Sequence, residues 1–236
     1  MNKQLTLNVR LRDDATFANF YTGDNQLVVN YLEQFLRGNY SERLVYLWGA
    51  SGVGRSHLLH ACCHTAVAQQ QHAGFLPLIE NAALSPTLLE GLETFSLLCV
   101  DDVQAIAGNH AWEEALFHLY NRISSNPTRW IIAADAPPQQ IHFALPDLQS
   151  RLAGAVVFRI HSLPDEQKAA ALRSRAQLRG LIVSEEISQF LLTHYSRDMG
   201  TLFSALDKLD LASLAAQRKL TVPFVKAVLN STSITV

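Results

Sequence analysis

The chain has 236 residues, 48% of them hydrophobic and 17% charged, and a formal net charge of -2. That length allows one larger or two smaller domains with a sizeable core, and the composition is that of a globular protein. The slightly acidic balance disfavours a dedicated nucleic-acid binder, which carries a basic face, and turns attention to a protein partner, with no strong direct DNA binding expected.

No stretch reaches the length of a membrane span, and the start, Met1 to Leu7, lacks the apolar core of a signal peptide. A cytoplasmic protein with no membrane partner is expected. The three cysteines, Cys62, Cys63 and Cys99, fit buried thiols in a reducing compartment.

Residues Asn2 to Arg12 alternate apolar and polar until Asp13, Asp14 and Thr16 interrupt them, which predicts an arm and not a core strand. Thr16 to Asn25 is aromatic and turn-rich. Helical spacing runs from Gln26 to Arg37 through Leu27, Tyr31, Leu32 and Phe35, and Gly38 ends it. Arg43 to Trp48 is a short apolar run of the buried parallel-strand kind, and Ser56 to Gln71 reads as unbroken helix. A second strand is expected over Gly74 to Ile79 and a short helix over Ser85 to Leu92, opened by Pro86. Phe95 to Asp102 is an apolar run ending in two carboxylates. Helix Trp112 to Ser124, strand Trp130 to Ala134, helix Leu145 to Leu152 and strand Ala155 to Ile160 complete the alternation. The pattern predicts an α/β fold, a parallel sheet with helices on both faces.

The composition changes at Ser162-Leu163-Pro164. Beyond it the period is helical over Asp165 to Arg179, Ser184 to Tyr195, Asp198 to Ala216 and Val222 to Leu229. The expected organisation is an arm over 1–15, an α/β nucleotide-binding domain over 16–161 and a small all-helical domain over 162–236.

Gly49-Ala50-Ser51-Gly52-Val53-Gly54-Arg55-Ser56 fits the phosphate-loop pattern at every position except the lysine, where Arg55 stands. Its glycines let successive N–H groups face one concavity, and the helix that follows presents its positive dipole end to the same spot. A polyphosphate is the natural occupant. Ser56 can still hold Mg²⁺, while the bulkier planar fork of Arg55 keeps the charge and should preserve phosphate binding better than lysine-tuned catalysis.

Asp101 and Asp102 fall at a strand end, where α/β sheets place their ligands. There the first carboxylate can hold Mg²⁺ through water and the second can orient an attacking water; the bland reading is an acidic turn into Val103-Gln104. Asp135 ends the next strand, either as a polar sensor near the γ-phosphate or as an ordinary residue before Pro137-Pro138. Arg151, near the end of a helix, reads as a solvated helix-end cation or as a group reaching a neighbouring subunit's nucleotide. His57, His60 and His64 share one helical face, but ligands on one rigid helix seldom surround an ion.

Together these motifs resemble the AAA+ ATPases and, within them, the bacterial replication initiator family DnaA. The resemblance lies in Thr16 to Phe20, Gly54 to Ala61, Leu97 to Gly108 and Pro146 to Leu152, and it spans about residues 16 to 230. Unlike DnaA, the chain shows neither a separate N-terminal domain nor a helix-turn-helix after the lid, so it resembles a truncated, regulatory DnaA relative. Asp14 to Gly23, Tyr120 to Ile123 and Gln217 to Lys226 agree with that.

The resemblance implies an AAA+ core with a helical lid and a bound nucleotide, ADP or another nucleoside di- or triphosphate, with Mg²⁺ through Ser56 and Asp101. The implied nucleotide contacts are Phe20, Gly49, Ser51, Gly52, Val53, Gly54, Arg55, Ser56, His57 and Asp135. It implies Arg151 as an arginine finger acting in trans on ATP held by DnaA, with Asp102 catalytic. Gln4-Leu5-Thr6-Leu7 resembles the peptide by which proteins dock on the β sliding clamp, although Asn8-Val9 departs from its usual ending. Gly200 stands where the family places its second-sensor arginine, and Arg197 lies one turn earlier. The implied function is negative regulation of replication initiation with DnaA and the DNA-loaded clamp as partners, at the nucleoid or replisome; the departures at Arg55 and Gly200 predict weak intrinsic ATPase, and the sequence leaves open whether the free protein is a monomer or a homo-oligomer. The rival is an independent AAA+ ATPase, a loader or motor on nucleic acid; a third reading is a structural adaptor that uses nucleotide only to hold its fold.

Overall fold

The structure, a computed structural model, describes residues 15–81 and 83–231, with only the backbone described at Ser231. Five strands, β1 (Leu44–Trp48), β2 (Ala73–Pro77), β3 (Leu97–Asp101), β4 (Arg129–Ala134) and β5 (Val156–Arg159), form one parallel sheet in the order β2-β3-β4-β1-β5. Helices α1 (Gln26–Leu36), α2 (Arg55–Ala68), α3 (Leu78–Asn81), α4 (His110–Ser124) and α5 (Pro146–Ala153) accompany it. Helices α6 (Asp165–Leu178), α7 (Glu185–His194), α8 (Met199–Ala216) and α9 (Val222–Ser231) follow. The described residues divide into two compact units, one within 15–50 and 55–161, the other of 51–54 and 162–231.

The inner strands β1, β3 and β4 are buried on both faces, which is why they are continuous apolar runs without alternation, while the edge strand β5 is half exposed. Alternate residues Tyr46, Leu98, Val100, Trp130 and Ile132 share a core with Trp112, Leu116, Leu119 and Ile123 of α4 and with Leu148 and Leu152 of α5. The residues between them on the strands, Val45, Leu47, Cys99, Ile131 and Ala133, are also buried, on the side where α2 packs along β2, β3 and β4 and α1 packs on α2. In α1, Val28, Val29, Leu32, Phe35 and Leu36 form one apolar stripe at helical spacing. Gly38, at φ +80, then turns the chain out of the helix in a left-handed conformation that costs glycine little.

Two local expectations need correction. The second strand ends at Pro77, not Ile79, and Leu78 and Ile79 begin the single turn α3. Pro77 has no N–H to offer a ladder, and Ile79 is 65% exposed. The short helix over 85–92 is a 3₁₀ turn, Pro86–Leu89, and a second such turn, Leu92–Thr94, begins after Gly91 at φ +81. Ser85 caps the first of these with its hydroxyl, accepting from the Thr87 N–H.

Asn25 is buried at the start of α1, where its amide donates to the His161 carbonyl at 3.0 Å and accepts from the His161 N–H at 2.7 Å. This fixes the chain just past β5. The helical unit has its own core of Ala169, Leu172, Ala176, Ile187, Leu191, Leu202, Leu206, Leu209, Val225 and Leu229. The starts of α7 and α8 are capped by side chains: Ser184 accepts from the Ile187 N–H, and Asp198 from the Thr201 N–H at 2.8 Å. Among the described residues, no helix is long and apolar enough to cross a membrane.

Candidate nucleotide site and the arginine at the edge

The loop after β1 is built where three features meet. Gly49 donates its N–H to the Ala134 carbonyl at 3.3 Å, which ties the loop's first residue to the end of β4. Gly52 and Gly54 take φ values of +74 and +102, conformations in which side chains are strained. Helix α2 then opens at Arg55 and Ser56, so the N–H groups of its first turn, which have no partner within the helix, face the loop.

Asp101 closes β3 and is 3% exposed. Burial in low dielectric pushes its carboxyl above the ordinary carboxylate range, against the hydrogen bond from the Ser56 hydroxyl; the Asp102 charge raises it further, while Arg55 and the Asp102 backbone lower it. A buried acid whose charge is only partly compensated, bonded to the serine of a phosphate loop, supplies two of the oxygen donors a hard divalent cation takes. Among the described residues, no cluster of three or more His, Cys, Asp or Glu side chains could hold a metal ion by itself, and the three histidines of α2 form none. The site fits Mg²⁺ only together with phosphate oxygens and water.

Arg55 decides the character of the loop. Its Nη2 donates to Asp102 Oδ1 at 3.3 Å, and its side chain is 10% exposed. Its Nη1 is buried without a hydrogen-bond partner. A buried guanidinium N–H costs free energy until it meets an acceptor, so half of this fork is bonded within the chain and half is left for an anion. The nucleotide fits these residues.

Asp102 lies just past the strand in a left-handed conformation, φ +53, that turns its carboxylate toward Arg55. Its Oδ1 also accepts from Gln104 Nε2 at 3.0 Å, and Gln104 Oε1 accepts from the Asp135 N–H at 3.3 Å. One chain of contacts therefore runs from the loop arginine, through Asp102 and Gln104, to the end of β4. The sequence singles out Gln104 for no role of its own, and only its place just past the acid pair could have flagged it. Asp135 itself is exposed at the strand end.

Phe20 and His57 meet with ring centroids 5.4 Å apart, and His57 Nε2 lies 2.9 Å from the Thr16 carbonyl. The aromatic segment before α1 is thus held against the start of α2. Arg151 stands apart from these groups, exposed in the last turn of α5, with its Cζ 5.5 Å from the centroid of the Tyr120 ring. Gln4, Leu5 and Leu7 lie outside the described residues. Arg197 is 73% exposed, with Nε 3.6 Å from Asp165 Oδ2 within the helical unit.

A five-stranded parallel sheet in this order, a phosphate loop after β1, an acid pair ending β3 and a helical unit after β5 define an AAA+ nucleotide-binding module. Residues 11–159 match the family model of the bacterial DnaA ATPase domain, and the chain belongs to that family. Residues 165–229 match the lid domain of Hda, so the helical unit is a lid of the Hda type.

Solved structures agree on the fold. Domain III of the Thermotoga maritima replication initiation protein DnaA matches with a TM-score of 0.80 at 18% identity, covering 94% of this chain and 98% of that one. AMPPCP-bound DnaA from Aquifex aeolicus matches with a TM-score of 0.72 at 21% identity, covering 86% and 67%. A mutant of Thermotoga maritima RuvB matches with a TM-score of 0.67 at 13% identity, covering 94% and 74%. At these identities the likeness is one of fold.

Proposed function

We propose that the chain is a nucleotide-bound regulator that accelerates hydrolysis of ATP held by a DnaA partner, using Arg151 as an arginine finger in trans. The observation that carries this reading is the position of Arg151: exposed in the last turn of α5 and laid over the Tyr120 ring, a guanidinium available to another molecule. A guanidinium so delivered offsets charge developing on the transferred phosphoryl group.

The nucleotide of the chain itself is held by Gly49, Ser51, Gly52, Val53, Gly54, Arg55 and Ser56, with Phe20, His57 and Asp135 around it. Mg²⁺, when bound with it through Ser56, Asp101 and water, supplies charge neutralisation to the phosphates. Arg55 is shared between phosphate and Asp102, and the Asp102 carboxylate is engaged by both Arg55 and Gln104. A carboxylate so occupied is poorly free to orient water, which supports weak intrinsic hydrolysis and retention of a diphosphate such as ADP. That retained nucleotide makes the chain a lasting partner and not a motor. Docking on the DNA-loaded β clamp through Gln4 to Val9 would bring it to newly replicated DNA, so that initiation is restrained after replication begins.

The test is hydrolysis of ATP pre-bound to DnaA, with clamp-loaded DNA present and this protein or its Arg151→Ala variant added. Acceleration by the natural protein alone supports the regulator. No acceleration by either, with turnover by this protein on its own, makes it an independent ATPase. Acceleration by both leaves the arginine without a role.

A further inference from the structure

Two contacts from helix α4, one to the residues just before α5 and one to α5 itself, bear on where Arg151 stands. Near its start, Glu113 is fully buried and spends its carboxylate on backbone N–H groups. Oε1 accepts from Gly108 at 2.6 Å and from Ala144 at 3.1 Å, and Oε2 accepts from Leu145 at 2.7 Å. Ala144 and Leu145 are the two residues immediately before α5, which begins at Pro146. No side chain of that loop caps the helix, and Pro146 supplies no N–H. The acid of the neighbouring helix therefore does the fastening.

Seven residues on, two helical turns along the same side of α4, Tyr120 lies under the Arg151 guanidinium. Between these points Leu116 of α4 and Leu148 and Leu152 of α5 are buried in one core. Gln149 adds a third fastening, its Nε2 reaching the carbonyls of Pro138 at 3.2 Å and Ile141 at 3.1 Å. A single rigid helix thus holds the backbone at the start of α5 and the side chain near its end.

We propose that Glu113 and Tyr120 are positioning residues for Arg151, presenting its guanidinium in one orientation at the surface before any partner arrives. The inference rests on Arg151 acting on a partner's nucleotide. An exposed arginine carries several freely rotating bonds, and fixing them on encounter lowers the chance of a productive geometry. A ring beneath the guanidinium removes part of that freedom in advance, and a charged acceptor gripping the helix start keeps α5 from sliding. Neither residue belongs to the phosphate loop or the acid pair.

The experiment titrates DnaA carrying pre-bound ATP, on clamp-loaded DNA, with natural protein and with Arg151→Ala, Tyr120→Leu, Tyr120→Phe and Glu113→Gln, each first checked for folding and for binding its own nucleotide. The maximal rate and the half-saturating concentration are read separately. Tyr120→Leu is expected to lower the maximal rate by about two- to fivefold, the worth of an exposed cation–π contact, with half-saturation unchanged. Tyr120→Phe keeps the ring and should restore the rate. In an Arg151→Ala background, Tyr120→Leu should have no further effect. Glu113→Gln, which turns a donor toward an N–H, should lower the maximal rate more; if it does not fold, the tyrosine pair decides the matter. If natural protein accelerates hydrolysis and Arg151→Ala does not, yet Tyr120→Leu equals natural protein, the positioning role is wrong and the regulator reading stands. A faster Tyr120→Leu would also overturn it, since the ring would then restrain the arginine. If Arg151→Ala equals natural protein, the regulator reading itself fails.

Discussion

Two arginines of one nucleotide-binding unit are placed in opposite ways. Arg55 is turned inward, 10% exposed, bonded to the chain's own Asp102 with one nitrogen still unpaired. Arg151 is turned outward, held over an aromatic ring at the edge of the molecule. On the proposed reading, the same guanidinium would retain an anion where its fork is half satisfied from within, and act on another molecule where only its position is fixed. The inward arginine stands where a lysine is usual, and the outward one would make the partner the place where hydrolysis happens.

The comparison breaks most easily at the outer arginine. Arg151→Ala should lower the rate of partner hydrolysis on the order of 10³-fold, while the affinity of the chain for its own nucleotide stays within error by fluorescence titration. Equal losses in both would mean that the two arginines do not divide the work.

The inner arginine comes next. Arg55→Ala removes charged hydrogen bonds and should weaken nucleoside diphosphate binding on the order of tenfold to a hundredfold, measured by isothermal titration calorimetry. Arg55→Lys keeps a compact charge and should recover most of that loss. If alanine binds as tightly as arginine, Arg55 serves only Asp102.

Asp101 sharpens the inner half through its acidity. Burial raises its carboxyl above the ordinary value of 3.8, so the folded chain holds the proton more tightly than the unfolded one. Its contribution to stability without metal is therefore fully present below that ordinary value and is lost as pH rises through the raised one. Thermal unfolding of natural protein minus Asp101→Asn should show this difference, with the variant about 1 kcal/mol more stable at neutral pH without Mg²⁺. Excess Mg²⁺ and nucleotide should favour the natural protein and reverse the order.

The smallest effect concerns Arg197, which lies a turn before Gly200. Paired loosely with Asp165 and 73% exposed, it should change unfolding stability by no more than about 0.5 kcal/mol when replaced by alanine. A marked fall in nucleotide affinity in that variant would instead give the chain a third working arginine.

The α/β alternation and the four lid helices were legible because apolar runs and helical periods depend on local spacing, which a sequence displays directly. The loop glycines, Arg55, Ser56 and the acid pair were legible for a similar reason, since each sits at the end of a strand or the start of a helix. The turning of Arg55 to Asp102 was not, because it depends on a left-handed residue after β3 that no local pattern announces. Glu113 and Tyr120 were hidden differently. Glu113 and Glu114 are neighbours of equal polarity, and only the helical phase, which puts 113, 116 and 120 on one side, separates the buried acid from its exposed neighbour. Gln104 passed as loop polarity until the strand ends on either side of it were in place.

Cys62, Cys63 and Cys99 are all free and fully buried, and the sequence has no others. Cys62 and Cys63 lie on α2 and Cys99 on β3, all in the unit that carries Arg55, while the lid has none. Burial pushes the thiols of Cys62 and Cys99 well above their ordinary range, which leaves almost no reactive thiolate on either while they are buried. The chain thus carries an internal clock for its own opening. A thiol reagent can label it only when the core around α2 opens, so the labelling rate reports how often that happens, without any introduced probe.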